Sequence, residues 1–347
     1  MKRCIELARL GAGSVAPNPM VGCVIVYQGK IIGEGFHQKY GEAHAEVNAI
    51  DAVTRSGLLK ESTLYVSLEP CAHHGLTPPC SDLIVEKQIP RVVIGTTDPF
   101  SEVAGKGIEK LRKAGIDVEV GFLENECREL NKRFFTFHEK KRPYVVLKWA
   151  QTLDGFIDID RNRENFGEPT WITGDLALRL VHQIRSEEGA ILVGTNTAEK
   201  DNPSLTLRHW AGENPVRALI DRNLRLSSAL NLFDGFSKTL VFNAKKNDLT
   251  NNTEWIKIDF EQEITPQILT NLYHRKILSL IVEGGKQLLE GFIRQNLWDE
   301  AHVFTGNKFF YSGISAPKIP AHVNHCGELL DNDRLTVFIN RRQSTIL

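Results

Sequence analysis

The chain has 347 residues, of which 41% are hydrophobic and 24% charged, and this length and composition suit two folded domains with separate cores. Its 42 basic and 43 acidic side chains nearly cancel, which removes the main electrostatic argument for a nucleic-acid or membrane-surface partner and favours small molecules. Six cysteines at irregular spacing do not suggest a disulfide framework, and no segment has the apolar length of a membrane span or a signal peptide. We therefore expect a cytoplasmic protein.

Predicted strands and helices alternate along the first half of the chain. An amphipathic helix with Ile5 and Ala8 facing inward comes first, and two strand-like runs then flank Gln28-Gly29, a typical hairpin turn. A further helix begins at His44, and strand and helix patterns recur between residues 62 and 122. This alternation predicts a sheet covered on both faces, which is an α/β/α layered domain.

One histidine, one glutamate and two cysteines stand out in this first domain. GEAHAEV contains His44 and Glu46, and LEPCAHHGLTPPC contains Cys71 and Cys80. One histidine and two thiolates form the ligand set of a catalytic zinc ion with an open position. Glu46 lies two residues after His44 at a helix start, so the two side chains point in different directions. We therefore expect His44, Cys71 and Cys80 to bind Zn²⁺ and Glu46 to be the catalytic proton shuttle.

Two other interpretations of this segment stay open. The first is a chance tripeptide beside ordinary buried thiols. The second is a non-enzymatic interaction module with a closed four-ligand zinc site, which His73 could complete. Ser81 and Asp82 are in either case suited to cap the helix that follows Cys80.

A second domain is predicted after a charged helical run that ends at Pro143. It lacks the G-x-G-x-x-G pattern, so an ordinary dinucleotide-binding fold is not indicated. Two apolar strands run into glycine, at Gly194 and at Gly284-Gly285, and the second passes directly into a helix. Glycine there lets backbone amides approach a phosphate, although a plain tight turn is the simpler explanation of the pattern alone.

The order and spacing of several motifs resemble one enzyme family. Eight residues separate the two cysteines, where most zinc deaminases have two. APNPMVGCVIV precedes the zinc motif, and KWAQTLDG, WITG, RSEEGAILVGTNTAEKDNPSLTLR and VEGG follow it. Over nearly its whole length the chain thus resembles the bifunctional deaminase–reductases of riboflavin biosynthesis.

The resemblance implies two successive reactions on one pyrimidine. Residues 1–142 would form a cytidine-deaminase-like domain that deaminates 2,5-diamino-6-ribosylamino-4(3H)-pyrimidinone 5′-phosphate. Residues 143–347 would form a dihydrofolate-reductase-like α/β domain that reduces the ribosyl group to ribityl with NADPH.

The resemblance also implies roles for particular residues. Contacts to the deaminase substrate are expected from Asn18, His37 and His73. The NADPH site is expected to contain Ala150, Trp171, Thr197, Asp201, Gly284 and Gly285. The reductase substrate is expected to contact Arg185, Leu205, Arg208 and Glu283. Lys148 is the candidate proton donor and second catalytic residue.

Three features depart from the family pattern. Leu76 stands where a basic residue usually meets a phosphate, Pro169 stands where a substrate-binding serine is common, and residues 306–318 replace a more regular segment. An alternative therefore keeps the deaminase and makes the reductase half an inactive module for dimerisation. A deaminase of free cytidine or transfer RNA would share the zinc site but leave the second half unexplained. The expected assembly is a homo-oligomer, a dimer through the reductase domain.

Overall fold

A computed structural model of the chain describes residues 1–73, 78–100, 104–162, 166–167 and 169–340. The chain divides into two compact units, Met1–Lys141 and Arg142–Leu347, and each has its own sheet and its own buried core.

A mixed sheet forms the centre of the first unit. Its strands are β1 (Gly22–Tyr27), β2 (Lys30–Phe36), β3 (Thr63–Leu68), β4 (Arg91–Thr96) and β5 (Asp117–Val120). The order across this five-stranded sheet is β2-β1-β3-β4-β5, with β1 antiparallel to both neighbours and β3, β4 and β5 parallel. The predicted hairpin turn is confirmed, because Gln28 and Gly29 link β1 to β2 with φ values of 48° and 75°.

Helices cover both faces of this sheet. They are α1 (Lys2–Arg9), α2 (Ala45–Asp51), α3 (Cys80–Glu86), α4 (Lys106–Lys113), α5 (Glu124–Leu130) and α6 (Lys132–Lys140), with a 3₁₀-helix at Ser56–Glu61. Side chains alternate along β1, so that Cys23 packs in the core beneath α2, α3 and α4, whereas Val24 packs on the opposite face with α1. The predicted α/β/α layering is confirmed, and Ile5 and Ala8 of α1 are buried as expected.

The helix that carries the zinc motif lies unusually close to the sheet. Gly35 of β2 permits this approach, because a Cβ at that position would lie 2.4 Å from the backbone nitrogen of Ala49. Any side chain at Gly35 would therefore displace α2 and the residues at its amino terminus.

The second unit is built on a ten-stranded sheet. Its strands and those of a small two-stranded sheet are β6 (Tyr144–Thr152), β7 (Phe156–Asp158), β8 (Ala190–Val193), β9 (Val216–Ile220), β10 (Thr239–Asn243), β11 (Asp248–Thr250), β12 (Thr253–Lys257), β13 (Ser279–Gly284), β14 (Glu300–Gly306), β15 (Ile314–Ser315), β16 (Asn324–Leu330) and β17 (Asp333–Ile339). The large sheet has the order β11-β12-β10-β9-β8-β13-β6-β14-β17-β16, and β7 pairs with β15. In this sheet order, the seven neighbouring strands that begin with β12 and end with β14 are parallel. The outer strands β11, β17 and β16 are antiparallel to their neighbours.

Helices pack on both faces of the large sheet. They are α7 (Asp175–Glu187), α8 (Thr195–Asp201), α9 (Ile264–His274) and α10 (Lys286–Arg294), with a 3₁₀-helix at Asn231–Phe233. The carboxyl ends of parallel strands meet at one edge of a sheet, and both predicted strand-to-glycine junctions lie at this edge. β8 passes through Gly194 into α8, and β13 passes through Gly284-Gly285 into α10. No described helix has the length and apolar character required to cross a membrane.

Candidate active sites

The three predicted metal ligands converge where β3 ends and two helices begin. Nδ1 of His44 lies 3.6 Å from Sγ of Cys71 and 3.3 Å from Sγ of Cys80. The ligand atoms of all three residues lie within 4.8 Å of one another. Zinc binds nitrogen and sulfur at about 2.0–2.3 Å in tetrahedral geometry, so its ligand atoms stand roughly 3.5 Å apart. The three side chains therefore fit one zinc ion.

Local backbone structure explains why these side chains meet. His44 is the N-cap residue of α2 in an extended conformation, with φ −73° and ψ 166°, and its side chain does not cap the helix. Cys80 is the first residue of α3, and its backbone N–H donates to Sγ of Cys71 over 3.3 Å. The predicted capping by Ser81 and Asp82 is wrong, because the N-cap position belongs to Pro79 and both polar residues lie inside the first turn.

Glu46 lies beside the ligands in the first turn of α2 and is only 3% exposed. Burial, and then the negative charge of Cys71, raise the pKa of Glu46 to about 7. The geometry thus places an acid–base group within reach of any ligand held between the three metal-binding side chains.

Two of the predicted substrate contacts form a chain next to His44. Nδ1 of His37 lies 3.1 Å from the carbonyl oxygen of Ala43, and Nε2 lies 3.2 Å from Nδ2 of Asn18. Because a carbonyl only accepts, Nδ1 of His37 carries the proton and Nε2 accepts from the Asn18 amide. Burial lowers the pKa of His37 and so favours this neutral form. The His37 ring also contacts the His44 ring edge-on, with centroids 5.3 Å apart.

The third predicted substrate contact, His73, is exposed and has its ring 6.3 Å from that of Phe100. Across the described part of the chain, the group of potential metal ligands comprises His44, Cys71 and Cys80, without His73. The interpretation of a closed four-ligand module therefore gains no support. Leu76 lies outside the described residues.

Glu69 is a buried carboxylate two residues before Cys71 that the sequence analysis missed, and it fixes the backbone next to this ligand. Glu69 accepts hydrogen bonds from the backbone N–H groups of Asp98, Gly105, Gly107 and Ile108, at 3.3, 3.0, 2.9 and 3.2 Å. Gly107 also packs so closely that a Cβ would lie 2.0 Å from the carbonyl oxygen of Pro70. The sequence signal for Glu69 was a charged residue placed directly between a buried strand and Pro70-Cys71.

A buried ion cluster links two neighbouring strands to α7 in the second unit. Nε and Nη2 of Arg185 each lie 2.6 Å from an oxygen of Glu283, and Nζ of Lys148 lies 3.7 Å from Oε2 of Glu283. Burial would raise the pKa of Glu283, but the positive charges of Arg185 and Lys148 hold it at about 2. Burial lowers the pKa of Lys148, and Glu283 partly opposes this shift. The structure thus brings together three of the residues predicted for the reductase.

Gly284 and Gly285, with Thr197 of α8, form a narrow cradle at the carboxyl edge of the sheet, beside Gly194. The backbone N–H of Gly194 donates to the carbonyl oxygen of Gly284 over 3.0 Å. A Cβ at Gly284 or Gly285 would lie 3.3 Å from Oγ1 of Thr197, and Gly284 has φ +142°, which disfavours other residues. The amino terminus of α10 follows directly. This cradle fits a phosphate-bearing cofactor such as NADPH, because glycine has no side chain to keep a phosphate away from the backbone at the start of a helix.

Other predicted cofactor residues are less closely joined to this cradle. Asp201 ends α8 and pairs with Arg161, whose Nη1 lies 2.8 Å from its Oδ1. Burial raises the pKa of Asp201 although Arg161 opposes this. Trp171 is 55% exposed, and its carbonyl oxygen accepts a hydrogen bond from Nζ of Lys308. Ala150 is half-buried on β6.

The two remaining predicted substrate residues lie in one segment. The Leu205 side chain is buried in the core, and its backbone has a positive φ of 51°. Leu205 can therefore offer only its backbone groups to a substrate. Arg208 is exposed, and its backbone N–H donates to the side chain of His182.

The two departures in the second unit both lie among described residues. Pro169 is exposed, and the hydroxyl of the next residue, Thr170, donates to Asp158. Residues 306–318 are held by Asp154, which accepts hydrogen bonds from the backbone N–H groups of Phe310 and Tyr311 at 3.3 and 2.8 Å. The unusual segment is therefore anchored to the turn that follows β6.

Comparisons with known proteins agree for both units. The family model of the cytidine and deoxycytidylate deaminase zinc-binding region matches residues 1–96, and that of the RibD C-terminal domain matches residues 143–310. Riboflavin biosynthesis protein RibD of Aquifex aeolicus is 42% identical over 91% of this chain and 88% of its own length. The protein of the same name from Bacillus amyloliquefaciens is 41% identical over 92% of this chain and 86% of its own length.

Solved structures give the same result. The crystal structure of a deaminase and reductase from Thermotoga maritima matches with a TM-score of 0.88 and 41% identity, covering 98% of this chain and 97% of that chain. RibD of Acinetobacter baumannii matches with a TM-score of 0.85 and 31% identity, covering 97% of each chain. The first unit thus has the cytidine-deaminase-like fold and the second the dihydrofolate-reductase-like fold. The chain belongs to the RibD family of bifunctional riboflavin-biosynthesis enzymes, which join a zinc-dependent deaminase to an NADPH-dependent reductase.

Proposed function

We propose that residues 1–142 remove the 2-amino group of 2,5-diamino-6-ribosylamino-4(3H)-pyrimidinone 5′-phosphate, and that residues 143–347 reduce the ribosyl group of the product to ribityl. The observation that carries this proposal is the convergence of His44, Cys71 and Cys80 beside the buried Glu46. The Thermotoga maritima structure is described as a diaminohydroxyphosphoribosylaminopyrimidine deaminase and 5-amino-6-(5-phosphoribosylamino)uracil reductase, which supports the choice of substrates.

In the deaminase, His44, Cys71 and Cys80 hold the zinc ion, which when bound makes water a nucleophile near neutral pH. The carboxylate of Glu46 accepts a proton from the attacking water. Glu46 then delivers a proton to the departing amine, so that ammonia leaves. His37 fixes the Asn18 carboxamide through its Nε2, which directs Oδ1 of Asn18 toward an N–H group of the pyrimidine. His73, on the exposed side, contacts the sugar phosphate.

In the reductase, NADPH supplies the hydride, and the cradle of Gly284, Gly285 and Thr197 holds its phosphates. Ala150, Trp171 and Asp201 complete the cofactor site. Lys148 donates a proton from its buried ammonium group, and Glu283 keeps that group in place.

The reductase substrate is held by residues around the ion cluster. Arg185 uses two of its N–H groups on Glu283, so the exposed Arg208 is the principal ligand for the ribosyl phosphate. The backbone of Leu205 lines the same segment.

An assay that follows ammonia and NADPH separately on the full chain tests both halves. Ammonia should appear without NADPH, and NADPH should then be oxidised in equal amount. No ammonia from folded, zinc-loaded protein would overturn the deaminase assignment. Ammonia without any NADPH oxidation would instead favour the inactive-reductase alternative, which the retained cluster of Lys148, Arg185 and Glu283 does not support.

We further infer that the partner is a small molecule, with no nucleic acid or membrane involved, and that the enzyme works in the cytoplasm as a homodimer through its reductase domain. The nearly balanced charge supports the first inference. All six cysteines are free, which suits a reducing compartment. Light scattering on the full chain at micromolar concentration tests the dimer, and a monomeric mass would contradict it.

A further inference from the structure

His182 is a fully buried histidine on α7, three residues before Arg185, and the sequence analysis did not single it out. Its Nδ1 lies 3.3 Å from the backbone nitrogen of Arg208. Its ring contacts that of His209 almost perpendicularly, with centroids 5.0 Å apart and an angle of 71°. One side chain therefore contacts two consecutive residues of this segment, the backbone of Arg208 and the ring of His209.

The hydrogen bond to Arg208 fixes the protonation state of this imidazole. A backbone N–H only donates, so Nδ1 accepts and the proton of the neutral ring is on Nε2. Burial, and then Arg185, lower the pKa of His182 to about 4, with His209 and Arg208 acting in the same direction and Glu283 opposing them. The ring is therefore neutral at neutral pH, and Nδ1 remains an acceptor.

The other nitrogen of the ring marks this position as unusual. Nε2 of His182 is buried and has no hydrogen-bond partner among the described residues. Unpaired buried polar groups are rare in folded proteins, and each calls for an explanation. A leucine would fill this buried position without an unpaired donor, so the acceptor at Nδ1 is the property that distinguishes histidine here.

The segment from Leu205 to Arg208 is held at both ends. Leu205 is anchored by its buried side chain, and the backbone N–H of Leu207 donates to Oδ1 of Asn214 over 2.8 Å. At the far end, His182 joins the Arg208 backbone to the helix that carries Arg185, which pairs with Glu283. The described contacts thus connect Arg208 to the ion cluster through His182.

We propose that His182 is a positioning residue of the reductase, which holds the backbone at Arg208 so that its guanidinium meets the phosphate monoester of the substrate. This inference rests on the proposed reductase function. The role is specific to phosphate, because the fully buried His182 acts through Arg208 and is not itself open to a ligand.

The test compares His182→Leu with His182→Asn in the full chain. Leucine removes the acceptor, whereas Oδ1 of asparagine takes the place of Nδ1. We expect His182→Leu to raise the KM for the deaminated phosphate substrate about tenfold, as for the loss of one buried hydrogen bond, while kcat changes by less than about twofold. His182→Asn should recover most of this loss. The KM for NADPH and the rate of ammonia release should not change.

Two further measurements separate positioning from general structural damage. With the same substrate lacking its phosphate, wild type and His182→Leu should have equal KM values. In the Arg208→Ala background, adding His182→Leu should change the KM little, because both changes remove the same phosphate contact.

Three outcomes would overturn the inference: a fall in kcat as large as the rise in KM, an equal rise in KM for both substrates, or additive effects of the two substitutions. Should His182→Leu fail to fold, His182→Asn decides, since a KM as high as that of Arg208→Ala would exclude the acceptor role. If the wild-type enzyme oxidises no NADPH with this substrate, the proposed function itself has failed, which is a different result.

Discussion

Replacing Glu283 by glutamine should separate the two activities of this enzyme. The pKa of Glu283 falls from 4.5 to about 2 beside Arg185 and Lys148, although the carboxylate is buried. A difference of this size corresponds to about 3 kcal/mol of interaction with the ionised form. Removing one partner of a buried ion pair costs a similar amount, about 3–5 kcal/mol, because the other charge stays buried and unpaired. Two independent arguments thus give the same loss of stability.

Tryptophan fluorescence can measure this loss in the second unit alone. All five tryptophans, from Trp149 to Trp298, lie in that unit, so urea unfolding followed by fluorescence does not report on the deaminase. We expect Glu283→Gln to lower the free energy of unfolding by about 3 kcal/mol at pH 7 and to lower reductase kcat/KM by at least about 100-fold. Ammonia release and zinc content should be unchanged.

The pH dependence has a definite sign. Because the folded-state pKa of Glu283 is lowered, its stabilising contribution is present above 4.5 and is lost as the pH falls from 4.5 toward about 2. The difference in stability between wild type and Glu283→Gln should therefore be constant from pH 8 to pH 6 and shrink below 4.5. A difference that grows on acidification, or a variant with full reductase activity, would refute this account of the cluster.

Asp234→Asn is the matched control, because Asp234 pairs with the fully buried Arg217 in the same unit. Its loss should also destabilise the second unit. The reductase activity of the folded variant should nevertheless stay near that of wild type, since this pair takes no part in the proposed site. Equal losses of activity in both variants would show that stability alone explains the effect of Glu283→Gln.

Three further predictions concern the zinc and cofactor sites. Glu46→Gln should keep fold and zinc but slow ammonia release by about 10²–10⁴-fold, and undiminished turnover would remove Glu46 from the mechanism. Purified protein should contain about one zinc ion per chain, as metal analysis can show, and Cys80→Ser should lose most of it; folded wild type without zinc would contradict the ligand set. Gly284→Ala should raise the KM for NADPH by about tenfold or more, because its φ of +142° strains any other residue and the added methyl group would lie 3.3 Å from Oγ1 of Thr197. Gly291→Ala, in the open middle of α10, is the control that should be neutral or stabilising, so equal effects of the two alanines would refute the cradle.

The zinc site could be predicted because its ligands lie in two short sequence motifs. His44 and Glu46 are fixed by one helix start, Cys71 follows β3 and Cys80 begins α3, so local structure determines most of the geometry. The layered fold followed from alternating strand and helix patterns for the same reason. The capping of α3 was predicted wrongly, because polar residues after Cys80 satisfied the usual composition of a cap while Pro79 already occupied that position.

Long-range polar contacts were beyond sequence reasoning. The four donors to Glu69 lie 29 to 39 residues further along the chain, and no local pattern shows that their N–H groups turn toward it. The pairing of Asp201 with Arg161 likewise joins residues 40 positions apart, and no motif in the sequence indicates that they meet. His182 has the sequence context of an ordinary helix residue, because its partner, the backbone N–H of Arg208, lies 26 residues further along the chain.

The four backbone hydrogen bonds to Glu69 have a consequence for metal exchange. In zinc fingers the ion must also drive folding, so that removing it unfolds the domain. In this enzyme four backbone donors and the close packing of Gly107 against Pro70 fix the main chain at Cys71 through contacts that do not involve the ion. The backbone at one of the three metal ligands is therefore held by protein contacts alone. A chelator should yield a folded, catalytically silent deaminase that regains activity when zinc is restored, without passing through an unfolded state.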